Sequence, residues 1–382
     1  MLEAGDFLDD LSAIGIGDFY GVPDSLLSPL ISKIEARADT GATRIEITAN
    51  EGGAIGLAIG AYLAGGQTAA VFMQNSGLGN AVNPLTSLAS PKVYGVPMLL
   101  IIGWRGEMMD GQQLKDEPQH VLQGQITLPM LDLLGIPFAV IEPGMGRDAA
   151  RDAADQMARI AHVQGKPAAL VVRKGSFIKF KGPTPPPADL MSREDAITEA
   201  LFALPDGVPV IGTTGKISRE IYEVCNRRGL TTPRFLTVGG MGHASMIAAG
   251  MAMQNPINPV ACFDGDGATL MQAGNLATAA KQTRLLHLVF NNRVHDSVGG
   301  QPTAAPDLDL AKLAQSMGFA SSRRITDRGS IGPAIALSLS GDCASFLEIM
   351  VSPGARSDLG RPKEHPADGK HAFMRSTGAF DV

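Results

Sequence analysis

Asp264-Gly265-Asp266-Gly267 and, further along, Asn291-Asn292 offer a carboxylate, two side-chain amides and glycines that let a backbone come close to a ligand. Hard oxygen ligands of this kind suit Mg²⁺, which takes a few ligands from protein and the rest from phosphates and water. A glycine turn opening onto a helix N-terminus adds backbone N–H groups for an anion, so magnesium diphosphate is the guest these residues fit. The elements that must position them are a short apolar strand, Val260 to Phe263, a helical pattern from Ala268 to Gln282, and a second apolar strand, Leu285 to Phe290. Together they form one βαβ unit with its polar residues at the carboxyl ends of the strands, where open parallel sheets bind ligands. Alone, Gly-Asp-Gly reads as a plain turn and Asn-Asn as a plain strand end; inside one unit the two favour a site.

A second acidic position stands out in the first half. The β-branched stretch Arg44 to Ala49 runs through Asn50-Glu51-Gly52-Gly53 into a small-residue helix, Ala54 to Ala64. Glu51 therefore falls where a strand end meets a helix start, a place that also suits a glutamate serving only the helix dipole. Asp24-Ser25, after Phe19-Tyr20-Gly21-Val22-Pro23, reads as a turn and helix cap. The loop Gln74 to Asn80 offers amides and a hydroxyl toward the same edge as Glu51, though such residues are also common in a plain turn. Trp104 to His120 is a long mixed-charge segment, and composition leaves it open between an active-site loop and a solvated surface excursion. In the second half Met241 lies between glycines in Gly239-Gly240-Met241-Gly242-His243, an unusual seat for a core methionine.

At 382 residues the chain is long enough for two domains, each with its own core. The expected boundaries are a first domain over 1–181, a Pro-rich linker over 182–191 centred on Gly182-Pro183-Thr184-Pro185-Pro186-Pro187, a second domain over 192–355, and a C-terminal tail over 356–382. A net charge of -6 argues against a nucleic-acid binder, so an anionic substrate must be met by local cations. Three scattered cysteines give neither a disulfide framework nor an iron–sulfur module. The acidic start carries no signal-peptide pattern and no apolar run approaches membrane-spanning length; a cytoplasmic enzyme without membrane contact is expected.

Gly265-Asp266-Gly267 followed by Asn291-Asn292 resembles the signature of thiamine-diphosphate enzymes. The resemblance implies an α/β fold of two doubly wound parallel-sheet domains, one for the pyrimidine and one for the diphosphate, with no middle domain. It implies Asp266, Asn292 and the backbone carbonyl of Val294 as Mg²⁺ ligands, and Gly215, Gly265, Gly267 and Ala268 around thiamine diphosphate. It also implies that Glu51 hydrogen-bonds the pyrimidine ring nitrogen and that Met241 props the cofactor in its bent form.

Over nearly its whole length the chain is further similar to the phosphonopyruvate and sulfopyruvate decarboxylases. The likeness is carried by Gly21-Val22-Pro23-Asp24-Ser25-Leu26-Leu27, Trp104-Arg105-Gly106-Glu107, Asp116-Glu117-Pro118-Gln119-His120, Thr213-Thr214-Gly215-Lys216 and Met241-Gly242-His243-Ala244-Ser245. Most specific is His295-Asp296-Ser297-Val298-Gly299-Gly300-Gln301-Pro302-Thr303, and the stretch Asp358 to Pro362 adds to it. Departures are Met108 to Leu114, which bears on substrate fit, and Arg293-Val294 in place of small residues after Asn-Asn.

The reaction so implied is non-oxidative decarboxylation of 3-phosphonopyruvate to phosphonoacetaldehyde and carbon dioxide. Sulfopyruvate decarboxylation and carboligation on a related 2-oxo acid are the alternatives; a non-catalytic subunit is disfavoured because Glu51 and the metal ligands are all present. A β-carbon phosphonate needs cations or N–H donors. Ser25, Arg105, Lys216, His243 and His295 are the chosen substrate residues, with Arg356 and Arg361 as further cations. Asp24 and His120 are assigned to proton handling, against the alternatives of a helix cap and a loop hydrogen bond. Since the two cofactor halves usually meet across a subunit boundary in this family, a homodimer or larger homo-oligomer is expected.

Overall fold

Unbroken apolar runs such as Met98 to Ile102 and Ala168 to Val172 are what strands covered on both faces require, and the computed structural model makes them central strands of a parallel sheet. It describes residues 1–41, 43–109, 111–180 and 189–379. The chain divides into two compact units, Met1–Thr184 and Pro185–Val382. The linker expected at 182–191 lies for the most part outside the described residues.

The first unit contains β1 (Asp18–Gly21), β2 (Arg44–Ile47), β3 (Ala70–Gln74), β4 (Met98–Gly103), a small antiparallel hairpin of β5 (Met108–Met109) and β6 (Gln112–Gln113), then β7 (Phe138–Ile141) and β8 (Pro167–Val172). Its six-stranded sheet runs β2-β1-β3-β4-β8-β7, all parallel. Side-chain alternation feeds two cores. Ala70, Phe72, Leu99 and Ile101 point to one, with Phe7 and Leu30; Val71, Met73, Leu100 and Ile102 point to the other, with Ala54 and Ile55. Each such fully buried Leu, Ile or Phe contributes about 1.5–3 kcal/mol.

The second unit repeats the plan with β9 (Val210–Gly212), β10 (Arg234–Leu236), β11 (Val260–Gly265), β12 (Leu285–Asn291), β13 (Ser321–Ile325) and β14 (Ser345–Met350), in the parallel order β10-β9-β11-β12-β14-β13. Ala261, Phe263, Leu286 and Leu288 face one core; Val260, Cys262, Leu285 and Val289 face the other. In each sheet the connections leave in opposite directions from a central pair, β1 and β3 in the first unit and β9 and β11 in the second. That switch point opens a crevice at the carboxyl ends of the strands.

Three expectations change. The helix read from Ala268 to Gln282 is two short ones, Asp266–Met271 and Asn275–Ala279, interrupted where Gln272 leaves helical geometry ahead of Gly274. What it can offer an anion is therefore first-turn amides, not a long dipole. His120, read as a loop residue, lies in the first turn of the helix Pro118–Leu133 and is buried. The C-terminal segment carries the helix Pro366–Ser376, which buries Phe373 beside Phe235 with ring centroids 5.8 Å apart.

Candidate active site

In the first unit the chemistry-bearing residues follow four adjacent strands, β2, β1, β3 and β4. Glu51 starts the helix Glu51–Gly65, capped by the Asn50 side chain, which accepts from the Gly52 amide at 2.7 Å. Its carboxyl is buried and accepts from Asn80 Nδ2 at 2.8 Å. A Cβ on Gly77 would fall 2.4 Å from Glu51 Oε1, so the carboxyl rests directly on the Gly77 backbone and only glycine leaves room for it. Burial raises Glu51 above the usual carboxylate range, with the Asn80 hydrogen bond pulling the other way.

Asp24, after β1, is fully buried. Its Oδ2 accepts the amides of Leu26 at 2.9 Å and Leu27 at 3.3 Å, closing the turn before the helix Ser28–Ala38, while Oδ1 has no partner among the described residues. Burial pushes this carboxyl up to about 6, against the opposing pull of the Leu26 amide and the Arg105 charge. The turn-capping role and a raised proton affinity thus occur in one side chain. Arg105, after β4, donates from Nε and Nη2 to Asp116 at 2.8 and 2.5 Å and from Nη1 to Ser25 Oγ at 3.2 Å. Burial works against the Asp116 charge, yet the Arg105 guanidinium holds this carboxyl well below the usual range.

Asn75, after β3, ties these parts together. It donates to the Arg105 carbonyl and Thr127 Oγ1, both at 2.9 Å, and accepts the Arg105 amide at 3.2 Å. Trp104 Nε1 donates to the Gly124 carbonyl at 2.9 Å, and the Gly106 backbone packs on the His120 carbonyl, which seats the helix bearing His120 beside the Arg105 turn. Asp24, Ser25, Arg105 and Asp116 therefore form one cluster, and the loop from Gln74 to Asn80 serves both it and Glu51.

In the second unit Asp266 is the first residue of its helix and is buried. Thr303 Oγ1 donates to its Oδ2 at 3.2 Å. Burial pushes this carboxyl up to about 7, opposed by Thr303 and by the amides of Asp266, Gly267 and Arg293. Asn292, at the end of β12, donates from Nδ2 to Asp296 Oδ2 at 2.6 Å and accepts the Val294 amide on Oδ1 at 3.2 Å. Between them Arg293 takes φ 64°, a left-handed value that turns the chain. The Val294 carbonyl accepts the Asp296 amide at 3.0 Å and keeps a second lone pair. Gly267 is packed closely: a Cβ there would lie 3.0 Å from His295 Cε1.

The donor set fits Mg²⁺. Asp266, Asn292 and Val294 all offer oxygen, and the buried Asp266 carboxyl is a group whose ionised form a divalent cation would favour. Residues expected around the diphosphate lie at the matching strand ends: Gly215 before the helix Lys216–Arg228, Gly265 closing β11, Ala268 buried in the following turn, and Met241 half-buried between Gly240 and Gly242. Lys216 is half-buried, with Nζ 4.0 Å from Asp296 Oδ1, and burial lowers its proton affinity.

The remaining expected residues divide. His295 is half-buried, its Nε2 is enclosed and meets no partner among the described residues, and desolvation pushes the ring down to about 4. His243 is exposed and its Nδ1 lies 3.2 Å from the carbonyls of Gly240 and Met241, so it closes its own turn. Arg356 is committed to Glu194, Glu223 and Asp358, which removes it from the candidate substrate cations. Asp264 turns into the core, where Oδ2 lies 3.3 Å from His287 Nε2. Asn80, Asp116, Thr303 and Asp296 were all visible in their motifs, but their roles depend on partners far away in sequence.

Comparison with known proteins follows the same division. The N-terminal TPP binding domain of thiamine pyrophosphate enzymes matches residues 4–130, and the C-terminal TPP binding domain of the same enzymes matches residues 211–349. The chain is 35% identical to a phosphonopyruvate decarboxylase of Streptomyces viridochromogenes, covering 98% of this chain and 94% of that one. It is 34% identical to a phosphonopyruvate decarboxylase of Streptomyces hygroscopicus, over 98% and 93%. A sulfopyruvate decarboxylase of Methanosarcina acetivorans is 26% identical over 81% of this chain and 82% of its own.

Proposed function

The chain belongs to the phosphonopyruvate decarboxylase family of thiamine pyrophosphate enzymes, and on that premise we propose that it converts 3-phosphonopyruvate to phosphonoacetaldehyde and carbon dioxide. The observation that carries this reading is the likeness to phosphonopyruvate decarboxylases over 98% of the chain. The bond from the keto carbon to the carboxylate breaks, carbon dioxide leaves, and a proton takes its place on that carbon. When bound, thiamine diphosphate supplies the nucleophilic carbon and the electron sink that this cleavage needs.

The chain's own residues have separable tasks. Glu51, buried and oriented by Asn80, holds a proton at the pyrimidine ring nitrogen. Asp266, Asn292 and the Val294 carbonyl hold Mg²⁺, Gly215, Gly265, Gly267 and Ala268 line the diphosphate, and Met241 supports the bent cofactor. Asp24 and His120 deliver the proton that replaces the carboxylate; a carboxyl raised to about 6 binds and releases one near neutral pH. Arg105 with Ser25, and Lys216 in the second unit, meet the phosphonate. His295 remains a contact for substrate, while His243, folded onto its own turn, is the weakest of the proposed set.

From the family resemblance, in which the two cofactor halves usually meet across a subunit boundary, we propose that the working enzyme is a homodimer or larger homo-oligomer, and that it is cytoplasmic. Among the described residues no helix is long and apolar enough to cross a membrane. The likeness to a sulfopyruvate decarboxylase supports the second reading, in which a sulfonate takes the place of the phosphonate. Carbon dioxide release from phosphonopyruvate, sulfopyruvate and pyruvate, with thiamine diphosphate and Mg²⁺ or with a chelator, separates them. The expected result is the highest kcat/KM for phosphonopyruvate and no release without metal. Preference for sulfopyruvate favours the second reading, preference for pyruvate removes the anion pocket, and no release from any of the three overturns the proposal.

A further inference from the structure

Both amides of the Asn291-Asn292 turn are gripped by carboxylates that are themselves gripped by arginines. Asn291 Nδ2 donates to Glu348 Oε1 at 2.7 Å, and the fully buried Glu348 receives Arg324 through Nε at 2.8 Å and Nη2 at 3.0 Å. Asn292 Nδ2 donates to Asp296 Oδ2 at 2.6 Å. The same Asp296 oxygen accepts Arg193 Nη1 at 2.8 Å and the Gly354 amide at 3.0 Å. Arg193 is buried and forked onto Glu220 at 2.7 and 3.0 Å.

An ionised carboxylate can only accept hydrogen bonds. Asp296 therefore acts with the Val294 amide in setting the Asn292 side chain: the NH₂ points to Asp296 at 2.6 Å, and Oδ1 points away, toward the Val294 N–H at 3.2 Å. The reversed amide would set its oxygen against the carboxylate. Buried ion pairs are weak contributors to stability once their desolvation is counted, and Arg193 already has Glu220 to satisfy it. The third charge is explained better by what it orients.

We propose that Asp296, anchored by Arg193, is a positioning residue for the metal centre, holding Asn292 with Oδ1 turned toward Mg²⁺ and so setting the preference for that ion. The inference rests on the reading of Asp266, Asn292 and Val294 as the ligands. Mg²⁺ demands near-ideal octahedral geometry at about 2.0–2.1 Å, whereas Ca²⁺ accepts irregular geometry at about 2.3–2.6 Å. A loosened Asn292 therefore costs Mg²⁺ more than Ca²⁺.

The test is calorimetric titration of the full-length chain with thiamine diphosphate over a range of Mg²⁺ and, separately, Ca²⁺ concentrations. Asp296→Asn keeps the shape but presents an amide. It is expected to raise the Mg²⁺ concentration for half-saturation about 10- to 100-fold, the range for outer partners of metal ligands, with a smaller rise for Ca²⁺. Arg193→Lys leaves Asp296 in place but cannot bridge it to Glu220, and is expected to change the Mg²⁺-to-Ca²⁺ ratio in the same direction by less. It carries the test if Asp296→Asn does not fold. A folded variant whose Mg²⁺ half-saturation stays within about twofold, or in which both ions weaken equally, overturns the positioning role. Thiamine diphosphate binding to the unsubstituted chain that ignores divalent metal overturns the ligand assignment itself.

Discussion

Asp24→Asn separates the electrostatics of the first unit from its chemistry. The Asp24 carboxyl is pushed from 3.8 to about 6, chiefly by burial. A gap of about two pH units corresponds to about 3 kcal/mol. The folded value lies above the unfolded one, so the native chain holds this proton where the unfolded chain has released it. The resulting stability is complete below about pH 3.8, falls as pH rises through about 6, and is flat above that. Asparagine is neutral throughout. Relative to it, the unsubstituted chain loses about 1.6 kcal/mol by pH 5 and about 3 kcal/mol by pH 8.

The variant's own penalty cancels in that comparison. An amide nitrogen where Asp24 Oδ1 lacks a partner costs about 1–3 kcal/mol, but equally at both pH values. The measurable quantity is the widening of the stability gap between pH 5 and pH 8, about 1.4 kcal/mol in favour of Asp24→Asn. Urea unfolding followed by the fluorescence of Trp104, the one tryptophan and a buried residue of the first unit, reads it directly. A gap that stays constant within about 0.5 kcal/mol, or narrows, refutes the raised carboxyl. Turnover is expected to fall about 10²–10⁴-fold, the range for a positioned acid–base group. Unchanged turnover with the widening present would keep the electrostatics and remove Asp24 from proton delivery.

Glu51→Gln keeps the Asn80 contact and the helix start, so it should leave the thermal midpoint near that of the parent while turnover drops about 10²–10⁴-fold; near-normal turnover at verified cofactor occupancy would reject its role. Gly77→Ala drives a methyl to 2.4 Å from the Glu51 carboxyl oxygen and should lower thiamine diphosphate affinity measurably in a folded protein, and calorimetry showing parental affinity would contradict the close seat of Glu51 on Gly77. Sedimentation should show a dimer or larger assembly, with activity lost on dilution to monomer. A monomer that stays active at high dilution would count against shared sites.

The sequence by itself determined what depends on neighbours along the chain. Apolar runs such as Met98 to Ile102 had to be buried strands, Glu51 and Asp266 had to fall where strand passes to helix, and Asn291-Asn292 had to close β12. Strand ends, turns and spacing are local, and the resemblance built on them led to the family. Tertiary packing decided what depends on partners distant in sequence. Strand alternation sends Asp264 into the core with His287, whereas Asp266, past the strand end, is placed beside Thr303 and Arg293. Asp116 takes up two edges of Arg105, Gly77 sets the seat of Glu51, and Arg193 reaches across the second unit to fix Asp296. Burial and hydrogen-bond partners set how strongly a side chain holds its proton and which atom it presents, and neither exists until remote segments are packed together.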